Sequence, residues 1–224
     1  MPLAVVTGAS SPIGRAIAQS LAHRGYDLIL HVHRSTETLF DGKYNIVRAD
    51  LSTADGQDKF CDEVKARTLS LDVLVHNASS YEESTLRTLG RETWRETMAL
   101  NAEAPLFITK NLLPLLEAAP APCVVNVTDS MAHRTRTNRL AYMASKVLLT
   151  HLTTALAVEI APHVRVNAVA PGAVTIHDPS ILSKIPLARF ATADDIASAV
   201  IYLACDATYA TGEILMIDGG RQLV

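Results

Sequence analysis

An aspartate, a tyrosine and a lysine stand at spacings suited to moving a proton. Asp129 closes the β-branched run NVTD (126–129), Tyr142 follows thirteen residues later in AYMASK (141–146), and Lys146 lies four residues beyond it. On a helix, positions i and i+4 share one face, which sets the Lys146 ammonium beside the Tyr142 phenol. A free tyrosine has a pKa of about 10, and a nearby cation stabilises the phenolate, so the phenol becomes a usable proton donor near neutral pH. Asp129 also suits a cap for the turn that follows it. Asn101, in MALNAEAP, falls where a helix interior needs a polar side chain to hold a water. Tyr-x-x-x-Lys by itself also describes a pair on a surface helix, so the surrounding elements decide its meaning.

Those elements follow from the hydrophobic pattern. Strands are expected at 3–6, 27–32, 44–49, 71–75, 123–128, 164–169 and 214–217. Most are apolar on successive residues, the pattern of strands covered on both faces. Ile13, Ala16, Ile17, Ser20 and Leu21 form an inward helical stripe between the first two. A long helix over 142–160 carries Leu148, Leu149, Leu152 and Leu156 and stops before Pro162. Strands joined by helical crossovers lie parallel, so seven of them predict a doubly wound α/β sheet. Residues 1–224 show no linker or internal repeat, and a single domain is expected.

The first strand runs into TGASSPIG (7–14). A glycine turn at a helix N-terminus lets backbone N–H groups hold a pyrophosphate. Gly8 and Gly14 fit this pattern, but Pro12 stands where a middle glycine is usual. Proline suits a first helical turn, at the loss of one donor, so Ser10, Ser11 and the Ile13 N–H are expected to form the cradle. The second strand ends in HVHRS (31–35). Where an acid would bind a ribose 2′-hydroxyl, His33, Arg34 and Ser35 offer a cation and a hydroxyl for a 2′-phosphate. His31 and His33 share a face, but no third ligand is nearby and no metal is expected. Asp50 and Leu51, in RADLS, would meet the adenine, with a helix cap as Asp50's other role. Asn77, Ala78 and Ser79, in HNASSY (76–81), would let the backbone lie against a ribose.

Hydrophobic residues make up 49% of the chain and charged residues 19%, which excludes a disordered protein. A net charge of −3 gives no reason to expect nucleic-acid or anionic-membrane binding. No apolar run approaches the ~18–20 residues of a membrane span. The N-terminal residues look like a first strand and not a signal peptide. Three widely spaced cysteines, Cys61, Cys123 and Cys205, argue against disulfides and a zinc site. A cytoplasmic location is the expectation.

Together TGASSPIG, HNAS, the Tyr142–Lys146 pair, PGAV (171–174) and the terminal IDGG (217–220) resemble the short-chain dehydrogenase/reductase family along essentially the whole chain. The resemblance implies a Rossmann-type fold, hydride transfer from NADPH, a proton relay through Asn101, Tyr142 and Lys146, and a nicotinamide beside Pro171, Gly172 and Val174. It also implies a homotetramer packed through long helices. The family normally places a serine thirteen residues before the tyrosine, where this chain has Asp129. Ser130 would point to the opposite side of an extended strand and is no substitute.

An aspartate there resembles the pteridine reductases and dihydromonapterin reductases, as do HVHRS and NASSY. In that branch Tyr81 would stack on a flat ring and Ser79 would touch both cofactor and ligand. A reduced pterin presents a C=N bond beside ring N–H donors. A carboxylate accepts from those donors, and when protonated it can supply a proton to nitrogen. Two features depart from that branch: its arginine at the Pro12 position is missing, and the substrate lid in 173–184 is short. The tail IPLARFATADDIASAVIYLACDATYATGEILMIDGG (185–220) strongly resembles 3-oxoacyl thioester reductases, but many family members share it, so it speaks for the fold more than the substrate. The cations Arg134, Arg136 and Arg139 could meet an acidic carrier protein or a folate tail, or simply face water. A non-catalytic NADPH-binding regulator is the reading from outside enzymology.

Overall fold

The computed structural model describes the chain except residues 133, 135, 136 and 175–178. Seven strands form, all parallel: β1 (Leu3–Val6), β2 (Asp27–Val32), β3 (Asn45–Arg48), β4 (Val73–His76), β5 (Cys123–Val127), β6 (Arg165–Pro171) and β7 (Ile214–Ile217). Their order is β3-β2-β1-β4-β5-β6-β7. Every expected strand is present. β3 is shorter at both ends than expected, β4 is displaced toward His76, and β6 continues two residues further, to Pro171.

Between the strands lie α1 (Pro12–His23), α2 (Ala54–Lys65), α3 (Arg91–Met98), α4 (Ala104–Glu117), α5 (Leu140–Glu159) and α6 (Ala193–Ile201). Side chains alternate across each strand, so both faces need cover. Ile17 and Leu21 of α1 and Ile196 and Val200 of α6 pack with Ala4, Val6, Leu28 and Leu30. On the other face, Phe60 and Val64 of α2 and Ile108, Leu112 and Leu116 of α4 pack with Val5, Ile29, Leu74 and Val124. Each such side chain contributes about 1.5–3 kcal/mol on burial. Among the described residues no helix is long and apolar enough to cross a membrane.

Two helix starts matter for the site. The Ser11 hydroxyl caps α1 by accepting from the Gly14 N–H at 3.0 Å, with Pro12 in the first turn. α5 has no cap from its own N-terminal side chain. Its first donors are met by Ser84, whose carbonyl accepts from the Leu140 N–H and whose hydroxyl accepts from the Ala141 N–H. The helix therefore begins at Leu140, two residues before the expected start.

Candidate active site

β5 and α5 deliver the predicted acid, tyrosine and lysine to one place. The Tyr142 hydroxyl donates to Asp129 Oδ2 at 2.9 Å. Asp129 Oδ1 accepts from the Met131 N–H at 2.7 Å, so the carboxylate both caps its turn and faces the tyrosine. Lys146 is buried on the same helical face and donates to the Val127 carbonyl at 2.8 Å. Burial brings its pKa down to about 8, against an upward pull from the Asp129 charge. The trio thus holds a phenolic proton, a carboxylate acceptor and an ammonium that titrates just above neutrality. Ser130 is buried and does not line the cavity that Asp129 lines.

Asn101 is fully buried, and its side chain is held by three hydrogen bonds to protein groups. Its Oδ1 accepts from the Ser80 N–H at 2.9 Å, and its Nδ2 donates to the Ser80 carbonyl and the Ser145 hydroxyl, both at 3.0 Å. It sits in a π-helical segment, Ala99–Glu103, between α3 and α4. A π-turn re-aims one side chain inward, here to pin the Ser80 backbone onto α5.

The trio opens onto a cavity of about 510 Å³ at the C-terminal ends of the central strands. Between β1 and β4 the strand order reverses, the place where such sheets hold ligands. Gly8 has a φ of +64°, and a Cβ there would stand 2.7 Å from Ala78 Cα, so only glycine allows this approach. Asn77 braces the turn, its Nδ2 donating to Thr7 O, Gly8 O and Ser11 Oγ. Ser11 is a partial correction: its N–H and hydroxyl both close on the Gly8 carbonyl, which leaves Ser10 and the Ile13 N–H to face a phosphate. Glycine turn, helix N-terminus, the Ala78–Ser79 wall and Pro171, Gly172 and Val174 all line the same cavity. This set fits a nicotinamide dinucleotide.

At the adenosine end, Asp50 and Leu51 line the cavity as expected. Asp50 Oδ1 accepts from the Ser52 hydroxyl and N–H, which with the Ser52 hydroxyl first holds the carboxyl below its ordinary range. Asp50 Oδ2 lies 3.6 Å from His33 Nε2. Arg34 and Ser35 are a correction in part: His33 lines the cavity and they do not, though the Arg34 charge reaches Asp50. The strand ends at Val32, and the bend after it, at His33 and Arg34, leaves His33 on the cavity side.

Tyr81 is also corrected in part. Its ring meets the Tyr142 ring edge-to-face, with centroids 4.6 Å apart, and the Arg139 guanidinium carbon lies 4.2 Å above its centroid. Arg139 pairs with Glu83 at 2.8 Å. The ring expected to await a flat ligand already carries a planar cation. Arg139 is therefore no freely solvated charge, while Arg134 is exposed and donates to the Val224 carbonyl at 2.8 Å and to that of Gln222. Arg136 and part of the short lid lie outside the described residues.

The sequence reading missed His31 and Ser84. The signal for His31 was a titratable side chain inside an apolar strand. Both ring nitrogens bond to the main chain, Nδ1 to Gly8 and Nε2 to Ala49, which leaves neither for a metal. Ser84 gave no local signal.

The family model described as Enoyl-(Acyl carrier protein) reductase matches residues 8–222. A Streptomyces violaceoruber protein named for ketoacyl reduction in the granaticin polyketide synthase is 34% identical over 100% of this chain and 97% of its own. The 3-oxoacyl-[acyl-carrier-protein] reductase of Synechocystis sp. is 30% identical over 97% of this chain and 96% of its own. The crystal structure of acetoin dehydrogenase YohF from Salmonella typhimurium superposes with a TM-score of 0.91 at 28% identity, covering 100% of this chain and 98% of that one.

Proposed function

The chain belongs to the short-chain dehydrogenase/reductase family, and from that premise we propose that it is an NADPH-dependent reductase acting on the C=N bond of a dihydropterin. The observation that carries this reading is the Asp129–Tyr142 hydrogen bond, a carboxylate facing the proton donor. A carboxylate only accepts when ionised, which suits a heterocycle whose ring N–H groups donate. Bound NADPH would supply the hydride to the carbon of the C=N bond. Tyr142 gives its proton to the nitrogen, Lys146 steadies the phenolate left behind, and Asp129 orients the ring and restrains the Tyr142 hydroxyl. Arg34, whose charge reaches Asp50 at this rim, is the cation for a 2′-phosphate, with His33 beside it.

A second reading has its own support. The relatives named above act, by their names, on ketones, and they weigh toward a 3-oxoacyl or other ketone substrate more than toward a pterin. In that case a protonated Asp129 would donate to the carbonyl oxygen in place of the usual serine. The test compares NADPH consumption with dihydropterin, dihydrofolate and an acetoacetyl thioester. The pterin should turn over fastest and NADH should be a poor donor. Faster thioester turnover establishes the second reading, and no turnover with any substrate favours a regulator.

A further inference from the structure

His31 is only 2% exposed and lies one residue before the end of β2. It is bonded to two separate pieces of the cavity wall. Its Nδ1 accepts from the Gly8 N–H at 3.1 Å, and its Nε2 meets the Ala49 carbonyl at 3.0 Å. A backbone N–H only donates and a carbonyl only accepts, so the ring must be neutral with its proton on Nε2. The His31 carbonyl also accepts from the Ala9 N–H at 2.9 Å. Phe60 of α2 closes the ring from the side, with centroids 5.4 Å apart at 80°.

We infer that His31 is a positioning residue for the coenzyme: it clamps the pyrophosphate turn at Gly8 to the adenine wall that begins at Ala49, and so sets the span between the two before the coenzyme arrives. Gly8 opens the turn that leads to Ser10 and the Ile13 N–H, and Ala49 is followed directly by Asp50 and Leu51. A dinucleotide that bridges these walls binds best when their separation is already correct, because ordering them on binding costs affinity. An apolar residue would fill the same strand position but leave a buried N–H and a buried carbonyl unmatched. Burial keeps the ring neutral down to about pH 4, with His33 and Asp50 as its nearest titratable neighbours, so the clamp persists across the physiological range.

The inference rests on the coenzyme reading above, and the test separates the two. His31→Leu removes both bonds. His31→Asn can place an oxygen where Nδ1 stands and keep the Gly8 bond, while His31→Gln can place an N–H where Nε2 stands and keep the Ala49 bond. NADPH dissociation constants are measured by fluorescence titration, alongside KM for NADPH, kcat at saturating coenzyme and circular dichroism. The Leu variant should bind NADPH at least about tenfold more weakly, with kcat within about twofold of the parent, and Asn and Gln should each recover part of the affinity. If the Leu variant fails to fold, the Asn and Gln variants carry the same comparison at smaller amplitude. Unchanged NADPH affinity in folded variants, or a fall in kcat alone, overturns the clamp. Failure of the parent protein to bind any nicotinamide coenzyme is a different result, and it removes the coenzyme reading itself.

Discussion

Lys146 makes the activity dependent on pH in a direction that can be stated. Burial lowers its pKa to about 8, so the ammonium that steadies the Tyr142 phenolate is present below that value and lost above it. With coenzyme saturating, kcat/KM for substrate should fall as pH rises past about 8. Stability runs the opposite way: the buried charge is a penalty below about 8 that fades as pH approaches 10.5. Lys146→Ala should lower kcat by at least about 100-fold and abolish this limb in a pH–rate profile. Asp129→Ser should reduce dihydropterin turnover by about 100-fold while the NADPH dissociation constant stays within about twofold, because the hydrogen bonds of the carboxylate go to Tyr142 and the Met131 N–H and none goes to the glycine turn or the adenine wall. A gain in thioester reduction by the same variant would instead mark the serine-bearing site as the better ketone reductase.

At the level of elements, the loop around Tyr81–Ser84 is the piece that completes the catalytic helix. Ser84→Ala deletes the hydroxyl that accepts from the Ala141 N–H, and a lost helix cap costs about 1 kcal/mol, readable as a lower urea midpoint. The strands were legible in the sequence because most are short, continuous apolar runs, a local property. Asp129, Tyr142 and Lys146 were legible because one strand end and one helix turn hold all three. His31, Ser84 and Arg139 were not, since their roles depend on partners far along the chain: Gly8, Ala141 and Tyr81. The Asn101 position was found but its partners were not, because a π-turn redirects a side chain with no mark in the hydrophobic period. That His33 and not Arg34 lines the cavity was hidden for a matching reason: the bend after Val32 leaves no mark in the hydrophobic pattern.

Across the whole molecule, buried histidines tie stability to acid. The folded structure keeps His31 neutral to about 4 and His76 to about 3, while both take up protons near 6.5 when unfolded. Stability is therefore fully present above about pH 6.5 and falls as pH drops below it. Below pH 6 the two together should give a slope of up to about 2.7 kcal/mol per pH unit, measured by urea unfolding. His76→Asn should roughly halve that slope. Phe107 and Val147 stay partly exposed and Val158 is 81% exposed on α4 and α5, surfaces suited to the proposed homotetramer. Light scattering should find four copies, and Val158→Asp should reduce that number if α5 forms the contact. The Ser84 cap has one more consequence, for the order in which the molecule is made. Ser84 stands 57 positions upstream of Ala141, so its hydroxyl and carbonyl are made first and meet their donors only once α5 follows. A chain that stops short of Ala141 would carry the Ser84 loop with nothing to cap, and would lack Tyr142, Lys146 and the Pro171–Val174 wall as well.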